Sequence, residues 1–316
     1  MIRNLMQVCL VSFRKGLGAA WSILIIMIPV SFVMTLLQYT GFLKHLTWIL
    51  APFMSIFSLP AEASMALIVG GLINIYAGIA VMGTMSLSLW DINIIAVMML
   101  ICHNLIVESA VQSKTGVSGL KMTAFRIVAA FSMGMCLSFV LPESFKSQQW
   151  AMGAVVDVST QPLFEMLMVW ALQTALLTLK VILIILGLTV MIDLMRYYRL
   201  FTPVVSMLRP FTQINGLPHE SAFMWMAGLV FGLAYGSGVL IAESRAGHLD
   251  QDGLIRLNLS LGISHSLIED TLLFVAIGAS LFWILVPRVI AAAVVVWAFV
   301  LARTYMENRR GSVSKI

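Results

Sequence analysis

Residues 50–82 read LAPFMSIFSLPAEASMALIVGGLINIYAGIAVM, and residues 208–240 read LRPFTQINGLPHESAFMWMAGLVFGLAYGSGVL. At a constant offset of 158 they are identical at ten of 33 positions. The matches include Pro52/Pro210, Phe53/Phe211, Leu59-Pro60/Leu217-Pro218, Glu62/Glu220, Gly70/Gly228 and Gly78/Gly236. Shared apolar composition would give roughly three, so the chain carries an internal duplication. Further on, the offset grows to 162, and His103-Asn-Leu-Ile-Val-Glu108-Ser aligns with His265-Ser-Leu-Ile-Glu-Asp270-Thr.

The duplicated material is too apolar for water. Of the 316 residues, 60% are hydrophobic and 10% charged, against about 45–50% and about 25% in soluble domains. No charge falls between Lys15 and Lys44 or between Glu62 and Asp91, 28 residues in each case. A bilayer-spanning helix needs about 20. This excludes a soluble enzyme, a nucleic-acid module and a disulfide scaffold. Three cysteines without CxxC spacing read as reduced and structural. The lipid bilayer is the first partner.

The duplication predicts an all-α integral membrane fold with two repeats, residues 16–141 and 165–305. An interfacial helix over 1–15 precedes them, a linker over 142–164 joins them, and a tail over 306–316 follows. Each repeat is expected to start with a long helix, 16–38 or 168–195. An amphipathic segment follows, 42–58 or 199–216, ending at Leu-Pro. A second long helix comes next, 60–84 or 218–242. Proline suits a first helical turn, so Pro60 and Pro218 mark starts. Two short arms meeting near a histidine, 92–118 or 253–283, read as a re-entrant hairpin. A last helix, 120–141 or 285–305, closes the repeat. Lys/Arg placement puts both termini in the cytoplasm. Three crossings per repeat then make the second repeat inverted, the plan of secondary transporters with sites at broken helices.

This pattern resembles the Gate, or nucleoside-recognition, family of membrane proteins. The residues carrying the resemblance are the two Leu-Pro-x-Glu helix starts, the Gly-rich helices after them and the paired His-x-Leu-Ile segments. It covers nearly the whole chain as two Gate units. The family is related to the membrane part of ferrous-iron permeases, to concentrative nucleoside transporters and to spore maturation proteins. The resemblance implies transport in a bacterial cytoplasmic membrane. The chain has no GxxxxGK[ST] motif.

Ionisable residues at bilayer depth are functional candidates by default. His103, Glu108, His265, Glu269 and Asp270 are the strongest set. They suit proton coupling, with H⁺ or Na⁺ as the coupling ion, and His103, Glu108, His265 and Asp270 equally suit a divalent metal. A structural alternative stands beside this. Ser266 with Glu269 forms a capping box, and Asn104 is a good N-cap. Capped half-helices also offer free N–H groups, so Asn104 and Ser266 are candidate solute ligands, for an anionic or other polar solute. Asn74, Gln112, Tyr235 and Ser237 are further candidates along the path. Glu62 and Glu220 read as a gate or as helix-start carboxylates. The Gly-rich faces permit close helix packing or homo-oligomer contacts.

The expected function is secondary transport of a small polar solute, nucleoside-like or anionic, by alternating access. The rivals are a divalent-metal permease and a non-transporting membrane scaffold. Neither HExxH nor GxSxG occurs, so no enzyme is expected.

Overall fold

The protein is described by a computed structural model over residues 2–150, 162–200, 203 and 210–313. Among these, the regular elements are helical, with one isolated antiparallel bridge between Ser88 and Gln149. Six segments are long and apolar enough to cross a bilayer: Gln7–Tyr39, Leu89–Lys114, Gly119–Val140, Leu163–Met195, Gln251–Ala276 and Leu281–Arg309. The outward surfaces fit that role, with Leu120 82% and Phe139 81% exposed. The chain is an all-α, multi-pass membrane protein.

The first helices of the two repeats, α1 (Ile2–Tyr39) and α9 (Leu163–Tyr197), pack along each other. Lys15 pairs with Asp193 at 3.1 Å, Ser31 faces Thr174 at 3.3 Å, and Phe32 meets the Trp170 ring. Numbers that rise on one helix fall on the other, so the pair is antiparallel. The separate helix expected over 1–15 is the unbroken start of α1. Within it, Ser12 donates to Asp193 at 2.8 Å and Lys15 pairs with the same carboxylate.

The two Gly-rich stretches are not single long helices. α4 (Ala63–Leu72) and α5 (Ile75–Met82) meet at Ile73–Asn74. Asn74 is extended there, and its side chain accepts a hydrogen bond from the Ala77 N–H, capping α5. The chain then doubles back. A Cβ on Gly78 would lie 3.0 Å from the Ala66 carbonyl, although twelve residues of straight helix would separate them by roughly 18 Å. The second stretch does the same. α10 (Ala222–Tyr235) breaks at Gly232, where φ is 69° and ψ is −178°. Such a conformation favours glycine. After it, Gly236 returns to within 3.1 Å of the Ala227 carbonyl, measured from an added Cβ, and α11 (Ser237–Arg245) follows. Two helical hairpins result, with tips at Asn74 and Gly232.

The segments expected to be hairpins are interrupted helices instead. α6 (Leu89–Cys102) leads into α7 (Leu105–Lys114) across a break at His103–Asn104. Both pack on α8 (Gly119–Val140) in one antiparallel run. Ser109 meets Thr123, Ile101 and His103 meet Arg126, and Met98 meets Gly134. A hairpin at His103 would have reversed that order midway. In the second repeat α12 (Gln251–Ser264) and α13 (Glu269–Ala276) run likewise along α14 (Leu281–Val313). Asp252 pairs with Arg303, and Ile263, His265 and Thr271 meet Arg288. The physical reason for the exchange is length. A 25-residue apolar run is long enough to cross and reads as a span. A charge-punctuated one reads as two short arms.

The short amphipathic helices α2 (Phe42–Thr47) and α3 (Ala51–Ser55) precede the first hairpin and expose Phe42 and Phe53. Their counterpart over 199–216 and the linker over 142–164 lie partly outside the described residues. The proposed tail over 306–313 continues α14, and 314–316 lie outside. Met99 of α6 sits in the notch left by Gly70 and Gly78, and Leu261 of α12 sits against Gly228. The small residues thus let each hairpin lie on its interrupted helix.

Candidate functional site

Four helix breaks meet at one place. Each interrupted helix turns through a left-handed residue, Asn104 (φ 48°) or Ser266 (φ 51°). Its N–H donates to a hairpin carbonyl: Asn104 to Gly70 at 3.0 Å, Ser266 to Gly228 at 2.9 Å. Those backbone bonds replace the capping expected of the side chains. Asn104 occupies the N-cap position of α7 without a side-chain bond, and the N-cap of α13 is Ile268. The predicted capping box at Ser266 and Glu269 is therefore absent, because a left-handed Ser266 is tied to the hairpin.

The histidines face one another, with ring centroids 5.0 Å apart. His103 Nδ1 lies 3.0 Å from the Met99 carbonyl, and His265 Nδ1 lies 2.8 Å from the Leu261 carbonyl. A carbonyl only accepts, so both Nδ1 atoms carry hydrogen. In a neutral ring each Nε2 is then a bare lone pair. His103 Nε2 is 3.4 Å from Glu108 Oε1 and 3.3 Å from Asp270 Oδ2. His265 Nε2 is 3.1 Å from Glu108 Oε2. Ionised carboxylate oxygens also only accept. Acceptor therefore faces acceptor until a cation, proton or metal, arrives. One ring nitrogen of each histidine and an Asp270 oxygen lie within 4.8 Å of one another.

Two buried arginines, missed in the sequence reading, complete the centre. Arg126 and Arg288 are both 0% exposed and are separated by the same offset of 162 as the histidines. Arg126 Nε donates to the Ile101 carbonyl at 2.8 Å, and its Nη2 to the His103 carbonyl at 2.8 Å and Glu108 at 2.6 Å. Arg288 Nε donates to the Ile263 carbonyl at 3.0 Å, and its Nη2 to the His265 carbonyl at 2.7 Å. These carbonyls are orphans of the broken helix ends. Formally, Glu108, Glu269 and Asp270 carry three negative charges and the arginines two positive ones. One positive charge balances the set.

Beside the centre is a cavity of about 160 Å³. Asn74, Tyr76, His103, Asn104, Glu108, Phe231, Gly232, Ser266, Glu269 and Asp270 are among its walls, which makes both hairpin tips part of it. Tyr76 donates its hydroxyl hydrogen to Glu269 at 3.2 Å. The predicted residues Asn74, Asn104, His103, Glu108, Ser266, Glu269 and Asp270 thus come together, with His265 directly behind. Others do not. Gln112 is buried elsewhere, donating to the Asn258 carbonyl at 3.1 Å. Ser237, Glu62 and Glu220 are not among the cavity walls. The Tyr235 side chain lies outside the described residues.

The chain is 29% identical over 314 residues, 98% of each chain, to a Bacillus subtilis (strain 168) protein described as "Uncharacterized membrane protein YvoD". No family model matches the chain. No solved structure matches it. Membrane residence is what the relative's description shares with the fold.

Proposed function

We propose that the protein is a secondary transporter that couples a single positive charge, a proton, to movement of a small polar solute. One observation carries this: the acceptor-to-acceptor contacts between Nε2 of His103 and His265 and the carboxylates of Glu108 and Asp270. Two further features support it. The cavity lies where four helices break, the arrangement by which membrane transporters expose backbone and polar groups to cargo. The antiparallel packing of α1 on α9, equivalent helices of the two repeats, supports the inverted arrangement that alternating access uses. In this reading the hairpins that re-enter the membrane are α4–α5 and α10–α11, and both termini are cytoplasmic. The cavity is smaller than the about 300–1,000 Å³ typical of drug-sized ligands. That favours cargo of a few heavy atoms over a nucleoside.

The test is uptake into proteoliposomes under an imposed pH gradient, with a panel of small neutral, anionic and cationic solutes. Gradient-dependent uptake lost in His103→Gln and His265→Gln supports the reading. Uptake that ignores the gradient, or survives both variants, refutes it.

A divalent-metal cargo is the second reading, favoured by the grouping of the two imidazoles with Asp270. A divalent ion would leave the formal count one positive charge in excess, which a low-dielectric site opposes. Titration with Mn²⁺, Fe²⁺, Co²⁺ and Zn²⁺ separates the readings: tight binding that the histidine variants abolish would establish metal as cargo.

A further inference from the structure

The charged groups of the centre divide by side. Arg126 and Arg288 are sealed behind the helix breaks and are not among the cavity walls. Their guanidinium groups are held by backbone carbonyls, the Thr271 hydroxyl and Glu108. The ionisable side chains that do line the cavity are His103, Glu108, Glu269, Asp270 and the Tyr76 phenol. The wall therefore offers carboxylate and no guanidinium. Glu269 is bound by the Tyr76 hydroxyl through Oε1. Ser266 is 4% exposed and lines the cavity, and no hydrogen bond joins its hydroxyl to another described residue. Two aromatic side chains, Tyr76 and Phe231, and two isoleucines, Ile23 and Ile75, form the remaining large wall.

We propose that the cargo is a small organic cation bearing an ammonium group, bound by the Glu269 carboxylate between Tyr76 and Phe231, with the Ser266 hydroxyl toward its polar end. Carboxylate plus aromatic faces is the combination that holds an ammonium. A bare metal ion would leave most of a cavity of about 160 Å³ unfilled. An anion would meet three carboxylates. This rests on the transporter reading and deepens it, because the charge count fixes the coupling. The centre accepts one positive charge in balance. A proton on the histidine pair and an ammonium at Glu269 therefore compete, and cargo binding drives the proton from Nε2 into water on the open side. No covalent bond of the cargo changes. The result is exchange of ammonium for proton, not co-transport. The titratable groups facing Glu269 are Tyr76, Asp270 and His103. Behind them stand Glu108, His265, Arg126 and Arg288.

The experiment follows thermal unfolding of the purified full chain in detergent with choline, whose charge does not titrate. Ethanolamine, glycolate and ethylene glycol serve as cationic, anionic and neutral comparisons. Choline and ethanolamine should raise Tm, and choline affinity should tighten as pH rises from 6 to 8, because fewer protons compete. Glu269→Gln should weaken choline binding about tenfold or more, the loss expected for a charge-assisted contact. Glu62→Gln, at a helix start away from the cavity, should not. Phe231→Ala provides a second variant if Glu269→Gln does not fold, and it should weaken choline more than ethanolamine. Stabilisation by glycolate or ethylene glycol equal to that by choline, or binding that survives Glu269→Gln, overturns the proposal. If pH-gradient-driven, histidine-dependent uptake is then found for an anionic or neutral solute, the transporter reading stands while the ammonium assignment falls. If neither is found, both fall.

Discussion

Replacing Arg126 with methionine isolates what the buried guanidinium does. Methionine keeps much of the packing volume and removes the charge. Two backbone carbonyls, those of Ile101 and His103, lose their donor, and the Glu108 carboxylate loses a partner at 2.6 Å. Breaking a buried ion pair on one side costs about 3–5 kcal/mol, because an uncompensated charge stays behind. The two carbonyl bonds account for about 1–3 kcal/mol of that at typical net values. Roughly 2 kcal/mol is left for the stranded carboxylate. Glu108→Gln in the Arg126→Met background removes that charge and should return about 2 kcal/mol, a coupling between neighbours that independent sites do not show. Equilibrium unfolding in mixed micelles, followed by tryptophan fluorescence, measures all four corners of the cycle; Trp90 and Trp225 are buried reporters. A loss below about 1 kcal/mol for Arg126→Met, or losses that simply add, would refute the assignment of Arg126 as the counter-charge of Glu108.

Three further outcomes follow from the fold. Gly78→Ala places a methyl 2.5 Å from Met99 Sδ and 3.0 Å from the Ala66 carbonyl, so it should cost about 1–3 kcal/mol as overpacking; adding Met99→Ala should recover part of this in the same unfolding assay, and no recovery would argue against the hairpin lying on α6. Asn74→Ala should cost about 0.5–2 kcal/mol through loss of the α5 cap, whereas Asn104→Ala, with no side-chain cap bond to lose, should cost about 1 kcal/mol through its left-handed backbone alone, and Asn104→Gly should stay near wild type in stability. A Gly16→Cys/Leu186→Cys pair in a background lacking the native cysteines should oxidise to a disulfide, since a Cβ at 16 lies 3.4 Å from the Leu186 Cα. A pair with Leu172→Cys should remain reduced, and the reverse pattern on gels would overturn the antiparallel α1–α9 pairing.

The chemistry of the site was legible because the duplication repeats it. His103/His265 and Glu108/Asp270 recur at one offset, and the two copies meet. The arginines recur at that same offset and were still missed. Arg126 lies near Lys114 and Lys121, where it reads as part of a cytoplasmic positive cluster, and a single apolar-flanked Arg288 reads as a helix-end charge. Only the paired register distinguishes both from topology signals. The hairpins were hidden by a different effect. Residues 65–82 carry no charge and are apolar almost throughout, and span length alone makes such a run a crossing. The break rests on one polar residue, Asn74, whose side chain caps α5. In the second repeat it rests on Gly232, whose positive φ no composition argument reveals. Ser266 illustrates the opposite error. Its sequence context is a capping box, but a tertiary bond from its N–H to Gly228 holds the backbone left-handed and overrides the local preference.

The occupancy of the two Nε2 atoms is the point on which the account turns. Solid-state ¹⁵N NMR of histidine-labelled protein in bilayers reads it directly, with His45, His219 and His248 replaced so that the two central rings alone report. Hydrogen-bearing Nδ1 is expected on both rings at every pH, with one positive charge held by the Nε2 pair, a proton that leaves as pH rises and that a bound cation displaces. Two rings that stay neutral across the whole range, with Nε2 unchanged by protons, metal ions or solutes, would contradict it.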